Sequence, residues 1–208
     1  MFKMTMINTM IQKVKDVLTD PMHFFDKIKE EHGVKKAFIY FAILAFFSTL
    51  LAYLVSLVMP AYSIGVIEQL FGITIPAAAI QIPTIWTTLM YYVLSLGLAF
   101  VVGGLLHLWI LIFGGKADYT KSYQLYVYAY TPTYVLGWIP FLGLFAGVYS
   151  LILLILGTEK MHDISRKKAI LMYVIPAAIF LVVGIVGMFF MMTLLKSLPL
   201  ETMMGQLQ

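Results

Sequence analysis

The chain has 208 residues, is 62% hydrophobic and 12% charged, carries a net charge of +4 and contains no cysteine. A soluble globule usually has about 25% charged residues, so that class is excluded and lipid is the expected solvent for most of the chain. Without cysteine there are no disulfides, thiolate metal centres or cysteine nucleophiles.

In chain order, the first twenty residues lack the apolar stretch and cleavage site of a signal peptide, so the first apolar span is expected to remain as an anchor. Ile7, Met10, Ile11, Val14 and Leu18 recur at helical spacing opposite Gln12, Lys13, Lys15 and Asp16, which predicts an amphipathic helix. Thr19-Asp20-Pro21 ends it and starts a second, with Asp20 as N-cap and Pro21 at the first helical position. Met22, Phe25 and Ile28, widened by Phe24, form the apolar face of that second helix. Residues 1–36 are thus a cytoplasmic amphipathic region that either grips the inner leaflet or packs as a lid under a helix bundle.

Five apolar segments follow: Ala37 to Met59, Thr84 to Phe113, Ser122 to Leu136, Trp138 to Leu156 and Ala169 to Leu195. They are close to or longer than the roughly 20 residues that cross a bilayer, except the third, which is short and tyrosine-rich. The expected fold is all-α: a membrane bundle with five transmembrane helices over residues 37–195, preceded by the short amphipathic helices and followed by an external tail, 196–208. If the chain weaves, the N-terminal region holds seven lysines, the connection near Gly115 two, and the connection around His162 four basic residues. Only Lys196, of fourteen basic residues, falls on the other side. Cytoplasmic loops are enriched in Lys and Arg, so the partition predicts an N-in, C-out orientation. Were the third and fourth segments only a re-entrant hairpin, the C-terminus would still lie outside.

The connection from Pro60 to Pro83 is apolar, with Glu68 as its one charge, and is expected to lie on the membrane surface or fold over the bundle. Gly72 and Pro76 argue against one uninterrupted helix there. Leading into and along the third segment, Tyr119, Tyr123, Tyr126, Tyr130 and Tyr134 make a helical stripe, and Pro132 interrupts the ladder. In the fourth, Gly143 and Gly147 form a GxxxG pattern extended by Ser150, a face expected to pack internally rather than to dimerise, although a homo-oligomer stays open.

Enzyme templates fail on inspection: there is no Walker A loop, HExxH, GxSxG or dinucleotide fingerprint. All ten acids lie outside the five segments, which removes the buried carboxylates of an ion-coupled pump or an intramembrane protease. No element for binding nucleic acid is visible, and no cofactor is implied. His107 is the one ionisable basic side chain within a segment, and equal counting from the inner ends brings Tyr128, Ser150 and Tyr173 to similar depth. Two readings follow: an inner-leaflet cavity for a lipid or small molecule, or a histidine satisfied by a neighbouring tyrosine, with the second favoured. Glu159 and His162 lie at Glu-x-x-His spacing, but a di-iron site needs two such motifs, so no metal is expected. Asp163 or Ser165 is expected to cap the fifth helix, with Arg166, Lys167 and Lys168 contacting phosphates or holding topology.

Several stretches together resemble the Yip1 family of five-span membrane proteins: Val17 to Pro21 with Phe24-Phe25, Phe113 to Tyr119, Tyr128 to Pro132 with Gly137 to Pro140, and Gly157 to Ala169. The resemblance implies a cytosolic N-terminus and five helices. Eukaryotic members act in vesicle trafficking with prenylated Rab GTPases. This chain lacks their long N-terminal region and their Asp-Leu-Tyr-Gly-Pro motif, and is similar to compact prokaryotic members. The expectation is a non-enzymatic protein of a prokaryotic plasma membrane that organises the membrane or recruits partners at its cytoplasmic face. Its partners would be membrane lipids, another membrane or peripheral protein, and a Rab-type GTPase only if the host has one. The interaction surface would comprise Gly114, Gly115, Glu159, His162, Arg166, Lys167 and Lys168. The alternative is a lipid or small-molecule carrier that uses His107, Tyr128, Ser150 and Tyr173.

Overall fold

The computed structural model describes residues 2–59 and 83–197, and the elements among them are helical. They are α1 (Phe2–Thr19), α2 (Pro21–Ile28), α3 (Lys35–Val58), α4 (Ile85–Ile112), α5 (Tyr119–Ala129), α6 (Thr131–Leu136), α7 (Leu142–His162) and α8 (Arg166–Ser197). Four of these, α3, α4, α7 and α8, are long and apolar enough to cross a membrane, and they coincide with the first, second, fourth and fifth expected segments. The third segment is not one helix. Its 11-residue α5 and 6-residue α6 meet at Tyr130, and Pro132 falls in the first turn of α6, where a missing N–H is tolerated. The expected apolar connection containing Gly72 and Pro76, and the tail beyond residue 197, lie outside the described residues.

The least apolar of these segments occupies the centre. From Ser122 to Ala129 every residue of α5 except Tyr126 is buried, held between α3, α4 and α7. The long helices instead expose Phe47, Val93, Leu108, Phe145 and Phe180 outward. Lipid tails accept apolar side chains at no cost, whereas backbone or side-chain polar groups at membrane depth must find partners in protein. A broken, polar helix is therefore stable only in the middle of the bundle. The tyrosine stripe is present, with Tyr119 beside Tyr123 at 6.2 Å and Tyr126 beside Tyr130 at 5.1 Å, and the opposite face is buried as well, with Tyr128 against Tyr40 at 5.1 Å.

The helices α1 and α2 form a hairpin packed on the bundle. Asp20 accepts a 3.4 Å hydrogen bond from the His23 amide, and Pro21 opens α2, as the sequence predicts. Val17, Phe24, Phe25 and Ile28 are buried, so this apolar face covers protein, while Ile11 stays exposed. Of the two alternatives for the N-terminal region, the packed lid is the one seen. Ion pairs Lys29–Asp163 (2.7 Å) and Lys160–Asp26 (2.9 Å) fasten α2 to the end of α7. The N-terminal region, the α4–α5 connection and the α7–α8 connection thereby gather at one end.

The small-residue seam differs from expectation. An added Cβ at Gly147 would meet nothing within 4 Å, whereas one at Gly143 would come within 3.0 Å of the Gly137 carbonyl across the α6–α7 turn. The inward stripe of α7 is Ala146, Ser150, Leu153, Leu154 and Gly157, which lies one residue, or about 100° of rotation, from Gly147. A Cβ on Gly157 would collide with Leu125 and Phe25, so the close approach is made there. Gly147→Leu is consequently expected to leave thermal stability and oligomeric state in detergent unchanged, within about 0.5 kcal/mol. A drop in melting temperature, or dissociation of a dimer, would place a packing partner on that face.

Candidate functional site

Six polar side chains on α5 and α6 tie these helices to their neighbours. Ser122 Oγ is 2.9 Å from His107 Nδ1 on α4 and 3.3 Å from His162 Nε2 at the end of α7. Next, Gln124 donates through Nε2 to the carbonyls of Glu31 (3.0 Å) and Gly33 (2.9 Å), which clamps the connection between α2 and α3. Lys121 reinforces the clamp by donating to the carbonyls of Ile28 (3.2 Å) and Glu31 (2.6 Å), and to Gln124 Oε1 (3.2 Å). One turn on, Tyr128 donates to Glu31 Oε1 at 2.9 Å, and Lys13 of α1 donates both to Tyr128 Oη and to Glu31 Oε2 at 2.8 Å. The Lys13 ammonium also lies 4.8 Å from the centroid of the Tyr128 ring, a cation–π distance. Beyond that, Thr131 meets Tyr40 of α3 at 2.9 Å and Thr133 meets Ser150 of α7 at 2.9 Å.

These contacts form a spine about 16 Å long from Ser122 to Thr133 at 1.5 Å per residue. The four candidate layer residues therefore occupy separate pairs: His107 with Ser122, Tyr128 with Glu31 and Lys13, Ser150 with Thr133, and Tyr173 with Thr158 at 2.7 Å. The favoured tyrosine partner for His107 is replaced by a serine, with the Tyr119 ring edge-on at 6.1 Å. An apolar groove between α3 and α4, bordered by Phe46, Leu50, Thr88 and Tyr92, lies about 22 Å along α4 from His107.

At the charged end, Glu159 pairs with Arg166 at 2.7 Å, whereas His162 is fully buried and turns to Ser122, so these two candidate ligands diverge. Among the described residues no group of three or more metal-ligating side chains is present. Asp163 does not cap α8. It ends α7 in the left-handed conformation (φ 55°), and its hydrogen bond from Lys29 holds the carboxyl below the usual carboxylate range. Ser165 precedes α8 and accepts the Ala169 amide on its carbonyl at 3.0 Å. Gly114 needs φ +82°, and Gly115 leaves room for Ile110 and His162. Lys167 and Lys168 are exposed.

Lys13, Glu31, Lys121, Ser122 and Gln124 were not singled out by their sequence context. One signal was available: Gln124 is the only carboxamide within the five apolar segments, and a buried carboxamide requires partners.

The architecture defines a polytopic α-helical integral membrane protein with a polar central helix. The Yip1 domain family model matches residues 15–188, and the chain belongs to that family. No curated protein and no solved structure matches it.

Proposed function

We propose that this is a non-enzymatic Yip1 protein of a prokaryotic plasma membrane, five-crossing and N-in, C-out, whose cytoplasmic end organises the membrane or recruits partners. Helices α5 and α6 together would supply the third crossing, about 26 Å of helix at 1.5 Å per residue. The observation that carries the functional reading is the spine: His107, Tyr128, Ser150 and Tyr173, the side chains a carrier was expected to use, are each engaged with a separate partner. Gly114, Gly115, Arg166, Lys167 and Lys168 lie at the charged end, beside the α1–α2 hairpin. A Rab-type GTPase enters only where the host has one, and a homo-oligomer is compatible with the exposed faces of α7 and α8.

The carrier reading is tested at His107. His107→Gln keeps donor and acceptor capacity toward Ser122, so folding and co-purified lipid are expected to be unchanged. Loss of bound lipid in this variant, with the fold intact, would move the function to a carrier.

A further inference from the structure

We infer that the corner where the α4–α5 connection meets the start of α8 binds the phosphate of an anionic phospholipid through Lys116, Lys167 and Lys168. The inference deepens the proposed function, in which the cytoplasmic end is a platform that organises the membrane or recruits partners, and rests on it for the choice of leaflet. Acids near these lysines are already engaged. Asp163 holds Lys29 at 2.7 Å; Glu159 holds Arg166 at 2.7 Å; Asp118 caps α5 by accepting the Lys121 amide at 3.1 Å. Among the described residues the three lysines have neither an ion pair nor a hydrogen bond, and all three are exposed.

Their placement works against the fold unless an anion is present. Arg166, Lys167 and Lys168 occupy the first turn of α8, which has no acid, and a helix N-terminus carries partial positive charge that favours anions and disfavours cations. Lys168 Nζ reaches across to the α4–α5 connection, 3.7 Å from where a Cβ on Gly114 would stand, so the bare, left-handed glycine brings the two connections together.

The surroundings identify the occupant as an amphiphile. Directly below the lysines, α4 exposes Leu111 (44%) and Ile112 (75%), and α8 exposes Ile170 (40%) and Leu171 (56%). Trp109 ties the two helices there, donating from Nε1 to the Met172 carbonyl at 3.2 Å. A cationic end continuous with two apolar helix faces matches a phosphate attached to acyl chains. An acidic soluble segment would have no use for the apolar part.

The test uses delipidated full-length protein offered equal amounts of phosphatidylglycerol and phosphatidylcholine with identical chains, with bound lipid read by native mass spectrometry. Preferential phosphatidylglycerol binding is expected, weakening as salt rises. Each lysine near the surface contributes about fivefold, so Lys116→Gln with Lys168→Gln should cut the preference by roughly 25-fold. Lys168→Arg should retain it, and Lys15→Gln with Lys27→Gln, on the hairpin, should leave it unchanged. Excess inorganic phosphate should not displace the lipid, and displacement would reject a lipid source. Equal binding of the two lipids, or a preference that survives the double substitution in protein with native thermal stability, overturns the inference. Neither result touches the His107 comparison, so this failure is separable from failure of the platform reading.

Discussion

Gly157→Leu should lower the thermal midpoint of the detergent-solubilised protein by roughly 5–10 °C. A Cβ alone at this position collides with Leu125 of α5 and Phe25 of α2, so three elements must separate to admit a leucine. Overpacking of this kind costs about 1–3 kcal/mol. For a chain of this size each kcal/mol is worth about 2–4 °C. Gly147→Leu, ten residues earlier on the same helix, is the matched control. Equal melting temperatures for the two variants would show that α2 is not seated on α7.

Glu31→Ala should be the most damaging single polar substitution. Its carboxylate receives Lys13 and Tyr128 at once, and its side chain is only 10% exposed. Removing one partner of a buried ion pair costs about 3–5 kcal/mol, and the 22% exposure of Lys13 lowers the expected cost to about 2–3 kcal/mol. Glu31→Gln retains a hydrogen-bonding side chain and should fall between. Because Lys13 and Glu31 act as one unit, Lys13→Ala combined with Glu31→Ala should cost less than the two separately. Additive losses in thermal unfolding would mean that the hairpin is not fastened through this pair.

The legibility of the fold divides along physical lines. Long apolar runs such as Ala37 to Met59 and Thr84 to Phe113 announce themselves because lipid selects on composition, and the helices match them to within a few residues. Asp20-Pro21 was equally readable, since capping is a local event. The central helix was not. Its stripe of tyrosines implies one packed face under a rule made for amphipathic helices, yet α5 is enclosed on all sides, and that depends on which helices surround it. The same holds for Gly147 and Gly157. A GxxxG spacing marks a face that permits close approach, but which face turns inward is decided by packing partners distant in sequence, here Phe25 and Leu125. Counting inward from helix ends placed His107, Tyr128, Ser150 and Tyr173 at one depth, but depth alone does not assign partners. Ser122, Glu31, Thr133 and Thr158 each took one of them.

The chain contains no cysteine, so single cysteines can report which side of the membrane each connection faces without background. Lys15→Cys, Lys116→Cys, Lys167→Cys and Gln208→Cys would be labelled in intact cells with a membrane-impermeant maleimide, before and after permeabilisation. The platform account predicts that the cysteine at 208 reacts in intact cells, and that those at 15, 116 and 167 react only once the membrane is opened. Labelling at 116 or 167 in intact cells, or protection at 208 until permeabilisation, would contradict it.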